Sequence, residues 1–269
     1  GADAVAVTFD PHPRMILSSD PGHLSFLTDL EERTELMRET GIDYLVVIPF
    51  TAELSRMTAP EFISSILCRH LGVCHLIIGY DHHFGRRREG DENTIIECAR
   101  RMAFRVTREE AYMVEGEAVS SSLIRKALGE GNIEKAASVL GGDYFIRGRV
   151  VSGRKIGRGM GFPTANIATL SAYKLIPRSG VYAVEVIVEG VPDRHMAMLN
   201  IGHRPTITGG DGLCTIEAHL IDFDGDLYGN EVTVTFRHRL RDEMKFGSVD
   251  ELSARLTLDR EMTIALLGR

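Results

Sequence analysis

The stretch Gly180 to Val188, which reads GVYAVEVIV, carries the clearest signal for the fold of this chain. Side chains alternate between the two faces of a β-strand, and here both alternating sets are largely apolar. Such a run is typical of a strand that is covered on each face. The stretch therefore predicts a buried strand of a β-rich domain.

Further β-rich runs surround this strand in the second half of the chain, and frequent turns separate them. Short strands in this arrangement predict a small antiparallel barrel. A helical pattern over 249–267 predicts a final helix on the outside of the barrel. The predicted strands on either side of the central one are 145–151, 196–200, 214–223 and 231–240.

The first half has a different texture, in which apolar runs alternate with capped helices. The runs cover 4–9, 44–49 and 74–79, and capping-box patterns at Thr28–Glu31 and Thr58–Glu61 predict helix starts between them. This alternation predicts an α/β domain with a parallel sheet. We place the boundary between the two halves after Gly142, so that 1–142 form the first domain and 143–269 the second.

Parallel sheets bind ligands beyond the carboxyl ends of their strands. The loop after 74–79 is the richest such end, because it holds Asp81, His82 and His83, with arginines at 86–88. We expect this loop to contact a nucleotide or phosphate. A metal site is the weaker alternative, because adjacent histidines on a loop usually point apart.

Composition and charge restrict the class of protein. The chain has 269 residues, 43% of them hydrophobic, which is enough for two domains with substantial cores. No apolar run approaches the length of a membrane span, and no signal pattern opens the chain, so we expect a cytoplasmic protein without a membrane partner. The formal charge of −7 argues against a nucleic-acid partner. Four cysteines without a C-x-x-C pair make zinc or a disulfide framework improbable.

The segment GRGMGFPTAN, from Gly157 to Asn166, is dense in groups that hold phosphate and a hard cation. Thr164 and Asn166 offer side-chain oxygens to Mg²⁺ or to a nucleotide phosphate. Glycines let the backbone approach a ligand closely, proline stiffens the segment, and basic residues supply positive charge. The alternative is a Gly-rich hairpin without a ligand. The other candidate binding residues here are Lys155, Gly157, Arg158, Gly161 and Pro163.

Three serines, Ser120, Ser121 and Ser122, stand before an apolar-periodic run, with Arg125 about one turn into it. Hydroxyls and free backbone N–H groups at a helix N-terminus suit an anion. The alternative is that one serine merely caps the helix and the others face solvent.

Glu217 breaks an otherwise apolar β-run. The alternation places it on the same face as Thr215 and His219, opposite Ile216 and Ala218. A carboxylate that faces a ligand suits the role of a base, while an exposed strand glutamate is the equally weighted alternative.

Together these motifs resemble the prokaryotic bifunctional riboflavin kinase/FMN adenylyltransferase family, over essentially the whole chain. In the first half the resemblance rests on AVTFDPHP (6–13), GYDHHFG (79–85) and VSSSLIR (119–125). In the second half it rests on GFPTAN (161–166), NIGHRPT (200–206) and IEAH (216–219). The family implies a Rossmann-like nucleotidyltransferase domain followed by a six-stranded flavokinase barrel.

The resemblance also implies activities and site residues. The kinase would phosphorylate riboflavin to FMN with ATP as co-substrate, and the first domain would adenylylate FMN to FAD. Thr164 and Asn166 would hold Mg²⁺ and the phosphates, and Glu217 would act as the base. Asp81, Arg125 and the three serines would belong to the adenylyltransferase site. The weaker candidates for the flavin pocket are Asn200, Arg241, Asp242 and Phe246.

One family segment, G-x-F-D-G-x-H-x-G-H, does not occur in this chain. In the family it forms the first strand and supplies histidines that bind ATP. We therefore expect the first domain to lack a central strand and this chain to be a poor FAD synthetase, and we expect the chain to be a fragment of a longer enzyme. The alternatives are a riboflavin kinase with a scaffold domain and a flavin or nucleotide sensor, of which the sensor ranks last because the kinase motifs are intact.

Overall fold

A computed structural model of the chain describes residues 1–18, 24–81, 85–86, 89–153, 161–204 and 213–268. Several candidate residues, namely His82, His83, Lys155, Gly157 and Arg158, lie outside the described residues. The chain divides into two compact units, Gly1–Ala118 and Val119–Arg269.

The first unit contains two pairs of parallel strands, β1 with β2 and β3 with β4. Within the described residues these pairs are separate sheets, so β1 and β3 each have one edge without a strand partner there. The expected lack of a central strand in this domain stays a prediction. In chain order the elements are β1 (Val5–Asp10), α1 (Pro13–Leu17), α2 (Leu30–Glu39), β2 (Tyr44–Pro49), a 3₁₀ turn (Leu54–Arg56), α3 (Ala59–Phe62), which continues as a π-helix (Ile63–His70), β3 (His75–Ile78), α4 (Glu92–Met102), β4 (Arg105–Arg108), β5 (Met113–Val114) and β6 (Glu117–Ala118).

Capping residues set the starts of two of these helices. The predicted box at Thr58 and Glu61 is confirmed, with reciprocal bonds at the start of α3. The predicted box at Thr28 is wrong by one residue, because α2 is capped by Asp29, whose carboxylate accepts from Glu32 N at 2.9 Å. Glu32 is buried, and its carboxylate accepts in return from Asp29 N at 3.1 Å. Each of these two side chains accepts a hydrogen bond from a backbone N–H group that has no partner within the helix.

The second unit is a closed six-stranded barrel with three helices. Its hydrogen-bonded order is β10-β11-β8-β7-β12-β9, and all of these pairs are antiparallel. The predicted barrel and final helix are confirmed, and one strand, β8, lies where only a ligand-binding segment was expected. The elements are α5 (Ser121–Glu130), α6 (Ile133–Leu140), β7 (Phe145–Val151), β8 (Ala165–Thr169), β9 (Gly180–Val188), β10 (Arg194–Arg204), β11 (Leu213–Leu220), β12 (Glu231–Arg241) and α7 (Val249–Leu267).

The barrel interior is filled from β9 and β12. Tyr182, Val184 and Val186 are fully buried, as is Phe236 on the facing strand. The rings of Tyr182 and Phe236 meet edge to face with centroids 5.3 Å apart, a favourable aromatic geometry. The buried strand predicted at 180–188 is therefore confirmed.

Helices α5 and α6 belong to the barrel unit, although the sequence placed the boundary after them. One contact that holds them is a hydrogen bond of 3.0 Å from Arg178 N to Leu128 O at the end of α5. Another is the close approach of the Arg239 side chain to the backbone of Gly131, which has the positive φ of a helix C-cap. The division into functional domains at residue 142 stays a prediction.

Among the described residues, no helix has the length and apolar character needed to cross a membrane. The four cysteines, Cys68, Cys74, Cys98 and Cys214, are all free thiols. Burial raises the pKa of the Cys68 thiol and, together with the nearby Glu243 carboxylate, that of Cys214.

A charged network braces the outside of the barrel. Arg237 Nη2 lies 2.6 Å from Glu185 Oε2, and Arg194 Nη1 lies 2.9 Å from the same oxygen. Arg237 also pairs with Asp143. Burial alone would raise the pKa of Glu185, but the hydrogen bonds from Arg237 and Arg194 outweigh burial and lower it.

Glu185 should therefore make stability depend on acid pH. Its folded-state pKa is below the ordinary 4.5, so its contribution is present above that value and is lost as the pH falls through the folded pKa. Glu185→Gln should be less stable than wild type in urea unfolding near neutral pH, and the difference should shrink as the pH is lowered below 4.5. Glu189→Gln, at an exposed carboxylate just beyond the same strand, is the control. A difference that stays constant with pH would contradict the account.

Candidate active site

The registers of the barrel strands place four of the predicted site residues in one row. Glu217 lies opposite Asn166 on one side and Asn200 on the other. Asn200 in turn lies opposite Val181, and Val181 lies opposite Arg241. Residues directly opposite in antiparallel strands point to the same face of the sheet. The row therefore presents its side chains together, across five strands.

The row faces outward from the barrel. Ile216 and Ala218, the neighbours of Glu217 along β11, are buried at 5% and 0% exposure, so the alternation turns Glu217 away from the core. Helix α7 and the turn before it lie over part of the row, and together they line a cavity of about 330 Å³. The cavity is lined by Phe162, Thr164, Val181, Met198, Leu199, Asn200, Glu217, His219, Arg241, Glu243, Met244, Phe246, Leu252 and Leu256.

Five predicted site residues thus line a single cavity: Thr164, Asn200, Glu217, Arg241 and Phe246. Asp242 is not among the lining residues. Its side chain is 69% exposed, and its carboxylate accepts a hydrogen bond of 2.6 Å from Arg239 Nη2. That bond, with the charge of Arg239, lowers the pKa of Asp242.

Pro163 and Thr164 are held in place by a histidine. The Nδ1 of His219 lies 2.8 Å from the Pro163 carbonyl oxygen, which can only accept, so Nδ1 is the donor. The His219 ring also packs edge-on against Phe162, with ring centroids 5.2 Å apart. His219 is 9% exposed and sits on the same strand face as Glu217. It ties the segment that carries Thr164 to the strand that carries the carboxylate.

Asn166 does not line the cavity, but its position is tightly defined. It lies between Val151 of β7 and Glu217 of β11 in the ladder. Its amide rests on Gly153, where a Cβ would come 1.9 Å from Nδ2. Only a glycine at 153 leaves room for the amide in this place. Among the described residues no group of three or more His, Cys, Asp or Glu side chains is suited to a metal ion.

Arg241 is oriented by a carboxylate of helix α7. Its Nε and Nη2 donate to Asp259, with the shortest distance 2.7 Å, and its Nη1 donates to Asp242 O at 3.0 Å. The guanidinium carbon lies 5.9 Å from the centroid of the Phe246 ring. A cation over an aromatic face is attracted to it. Two predicted residues therefore form one wall of the cavity together.

The remaining predicted residues lie elsewhere. Ser120 is the N-cap of α5 and accepts from Leu123 N at 3.2 Å, whereas Ser121 and Ser122 are exposed in its first turn. Arg125 is half-buried on the same helix. Asp81 is exposed beyond the end of β3 in the first unit. Gly161 and Pro163 are exposed just before β8, and Gly161 has a positive φ of 80°.

Sequence reasoning missed several cavity residues. Leu252 and Leu256 are four residues apart on α7, and this spacing marks a helix face without showing what the face covers. Glu243 follows Arg241 and Asp242 in the chain and also lines the cavity, and a Cβ on Gly202 would come 2.5 Å from its Oε1. Gly202 therefore admits this second carboxylate to the cavity wall. The glycine itself was the available signal.

Comparisons with known proteins point in one direction. The riboflavin kinase family model matches residues 140–267, and the FAD synthetase family model matches residues 1–123. A bifunctional riboflavin kinase/FMN adenylyltransferase of Listeria monocytogenes is 35% identical over 269 residues, covering 100% of this chain and 84% of the relative. The enzyme of the same name from Escherichia coli K12 is 36% identical over 256 residues, covering 95% of this chain and 80% of the relative.

The fold is shared with a crystal structure from Streptococcus pneumoniae that is described as a macrolide-efflux protein. The TM-score is 0.88 at 29% sequence identity, over 97% of this chain and 83% of that one. This similarity concerns the fold of the whole chain.

The contact between Gly153 and Asn166 can be tested directly. Gly153→Ala should displace the Asn166 amide, because the added Cβ would overlap Nδ2 at 1.9 Å. The expected result is a shift of the Asn166 side-chain amide signals in a ¹⁵N NMR spectrum of a folded protein. Gly142→Ala is the control, because a Cβ there meets nothing within 4 Å. Unshifted Asn166 signals in Gly153→Ala would contradict the described packing.

Proposed function

Because the chain belongs to the bifunctional riboflavin kinase/FMN adenylyltransferase family, we propose that it phosphorylates riboflavin to FMN and adenylylates FMN to FAD, with ATP as the co-substrate of both steps. The observation that carries the kinase step is the row of polar side chains across the barrel, in which Glu217 lies between Asn166 and Asn200 and faces a cavity. The row supplies a carboxylate and side-chain amides, and the cavity beside it has an apolar wall formed by Phe246, Leu252 and Leu256.

Glu217 is the proposed general base. Its carboxylate lines the cavity and lies opposite Asn166 on β8, beside the segment that carries Thr164. As the terminal ribityl hydroxyl attacks the γ-phosphorus of ATP, its proton passes to Glu217. The bond from the γ-phosphorus to the β,γ-bridging oxygen breaks, and ADP leaves. Phosphoryl transfer depends mainly on positioning and on neutralising charge, and a barrel strand holds the base rigidly.

Thr164 and Asn166 are the proposed protein ligands of Mg²⁺. Both offer a neutral oxygen, and they lie two residues apart, on the segment that enters β8. Two protein oxygens suit Mg²⁺, which usually keeps several waters and binds substrate phosphates as well. When bound, the ion neutralises charge on the phosphates. Lys155, Gly157 and Arg158 are proposed to contact the nucleotide, together with Gly161 and Pro163.

The flavin ring is proposed to lie between the row and α7. Leu252, Leu256 and Phe246 give this part of the cavity apolar walls, and Asn200 and Arg241 supply donors at its edge. A flat ring with polar edges is recognised by such a combination. Asp242 is proposed to act indirectly, because its carboxylate binds Arg239 and does not line the cavity.

The adenylyl transfer is assigned to the first domain of the family. The proposed contributors from this chain are Asp81, the serines 120–122 and Arg125. A helix N-terminus with hydroxyls binds phosphate well, and Ser120 already serves as the cap of α5. The cytoplasm is the proposed compartment, because ATP is available there and free thiols persist in it.

The role of the base is tested by Glu217→Gln. The amide cannot accept the hydroxyl proton, so kcat for FMN formation should fall about 100-fold or more, in the range of general-base effects. The KM for riboflavin should change little, because size and shape are kept. Glu231→Gln is the matched control, since Glu231 is a barrel glutamate that pairs with Arg149 outside the cavity. Near wild-type turnover in Glu217→Gln would remove it as the base.

The two activities are separated by product analysis. Incubation of the chain with riboflavin, ATP and Mg²⁺, followed by chromatography of the flavins, should yield mainly FMN with a smaller amount of FAD formed from it, because this chain is expected to be a poor FAD synthetase. FMN alone would indicate a riboflavin kinase with a scaffold domain. Riboflavin left unchanged, in a protein that still binds it, would indicate a sensor and refute the enzyme assignment.

A further inference from the structure

Helix α7 carries a buried carboxylate outside the row of predicted site residues. Asp259 is 0% exposed. Within the described part of the chain, all hydrogen bonds to this carboxylate come from Arg241, with Nε 3.1 and 2.9 Å from the two oxygens and Nη2 2.7 Å from Oδ2. A buried carboxylate is tolerated where a cation pairs with it in good geometry. Arg241 supplies that geometry.

A second arginine shares the carboxylate in a different way. Arg255 Nε lies 3.0 Å from Asp259 Oδ1, but it has no hydrogen-bond partner within the described residues. It contributes charge without the directed bonds that Arg241 makes. Arg255 does not line the cavity, whereas Arg241 does. Loss of Arg255 would therefore remove a charge next to Asp259 without removing a cavity residue, whereas loss of Arg241 would remove both.

The hydrogen bonds of Arg241 do not use all of the N–H donors of its guanidinium group. A guanidinium has five N–H groups. Nε and one N–H of Nη2 are used by Asp259, and one N–H of Nη1 is used by Asp242 O. The two N–H groups that remain are on the terminal nitrogens of a side chain that lines the cavity and is only 12% exposed. They are suited to hydrogen-bond acceptors on a ligand edge.

We propose that Asp259 is a positioning residue of the kinase site, which fixes the Arg241 guanidinium so that its remaining N–H donors meet the carbonyl edge of the flavin. The inference rests on the proposed kinase function. Asp259 touches neither substrate nor cavity and acts through Arg241. Its helix also carries Leu252 and Leu256, so the same bond fixes the apolar wall relative to the end of β12.

The test compares Asp259→Asn with Arg255→Gln in the full chain. Asp259→Asn should raise the Kd of riboflavin, measured by flavin fluorescence quenching, and its KM by about tenfold, a change typical of a lost charged hydrogen bond. The kcat should stay within about threefold, because Glu217 is untouched. Arg255→Gln should leave Kd and KM within about twofold. Equal increases in the two variants, or an unchanged Kd in Asp259→Asn, would overturn the proposal.

A double-mutant cycle distinguishes positioning from general support of the fold. In an Arg241→Met background, Asp259→Asn should have no further effect on the Kd, because its route of action is gone. Independent, multiplicative effects would overturn the proposal. If Asp259→Asn does not fold, Asp259→Glu keeps the charge but moves it by one methylene, and it should still raise the Kd. A wild-type Kd in Asp259→Glu would then count against the proposal.

Failure of the inference and failure of the proposed function give different results. A wild-type chain that neither binds nor phosphorylates riboflavin refutes the proposed function, and with it the role of Asp259. Wild-type turnover combined with unaffected binding in Asp259→Asn refutes the positioning role alone.

Discussion

The strand register of the closed barrel is the constraint on which the site depends. Side chains alternate along a strand, so a slip of one residue in β11 would replace Glu217 with Ile216 or Ala218 and turn the carboxylate into the core. The buried side chains of β11 itself, Ile216, Ala218 and Leu220, oppose such a slip, because it would turn them out of the core. Packing of the core thus aligns polar residues from separate strands.

Two hydrogen-bonded contacts fix the segments that the strand register does not position. His219 binds the Pro163 carbonyl and holds the segment with Thr164 against β11, and Asp259 binds Arg241 and holds α7 over the row. The His219 contact lies on the phosphate side of the proposed site, and the Asp259 contact lies on its flavin side. Both are made by buried side chains, where a hydrogen bond is sheltered from water and an unpaired group is costly. These contacts therefore hold the segment with Thr164 and helix α7, which line the cavity but are not fixed by the barrel strands.

Much of this arrangement was predictable from local patterns. The double apolar alternation of 180–188 identified the buried strand, and the polar interruption at Glu217 identified the outward carboxylate. The row itself was not predictable from these residues, because opposition of Asn166, Glu217, Asn200 and Arg241 depends on pairings between distant strands. The capping box was placed one residue early for a local reason, since Thr28 and Asp29 are both good caps and the choice is made by Glu32, which reaches back to Asp29. The burial of Asp259 was not predictable, because a carboxylate in a helix with many charged residues is expected to face solvent.

We propose that phosphoryl transfer takes place at the row across the barrel. The most direct measurement is a crystal structure of the full chain with riboflavin, Mg²⁺ and a non-hydrolysable ATP analogue. We expect the flavin ring between α7 and the row, with its terminal ribityl hydroxyl in hydrogen-bond contact with Glu217. A flavin bound elsewhere, or bound in the cavity with that hydroxyl turned away from Glu217, would contradict it.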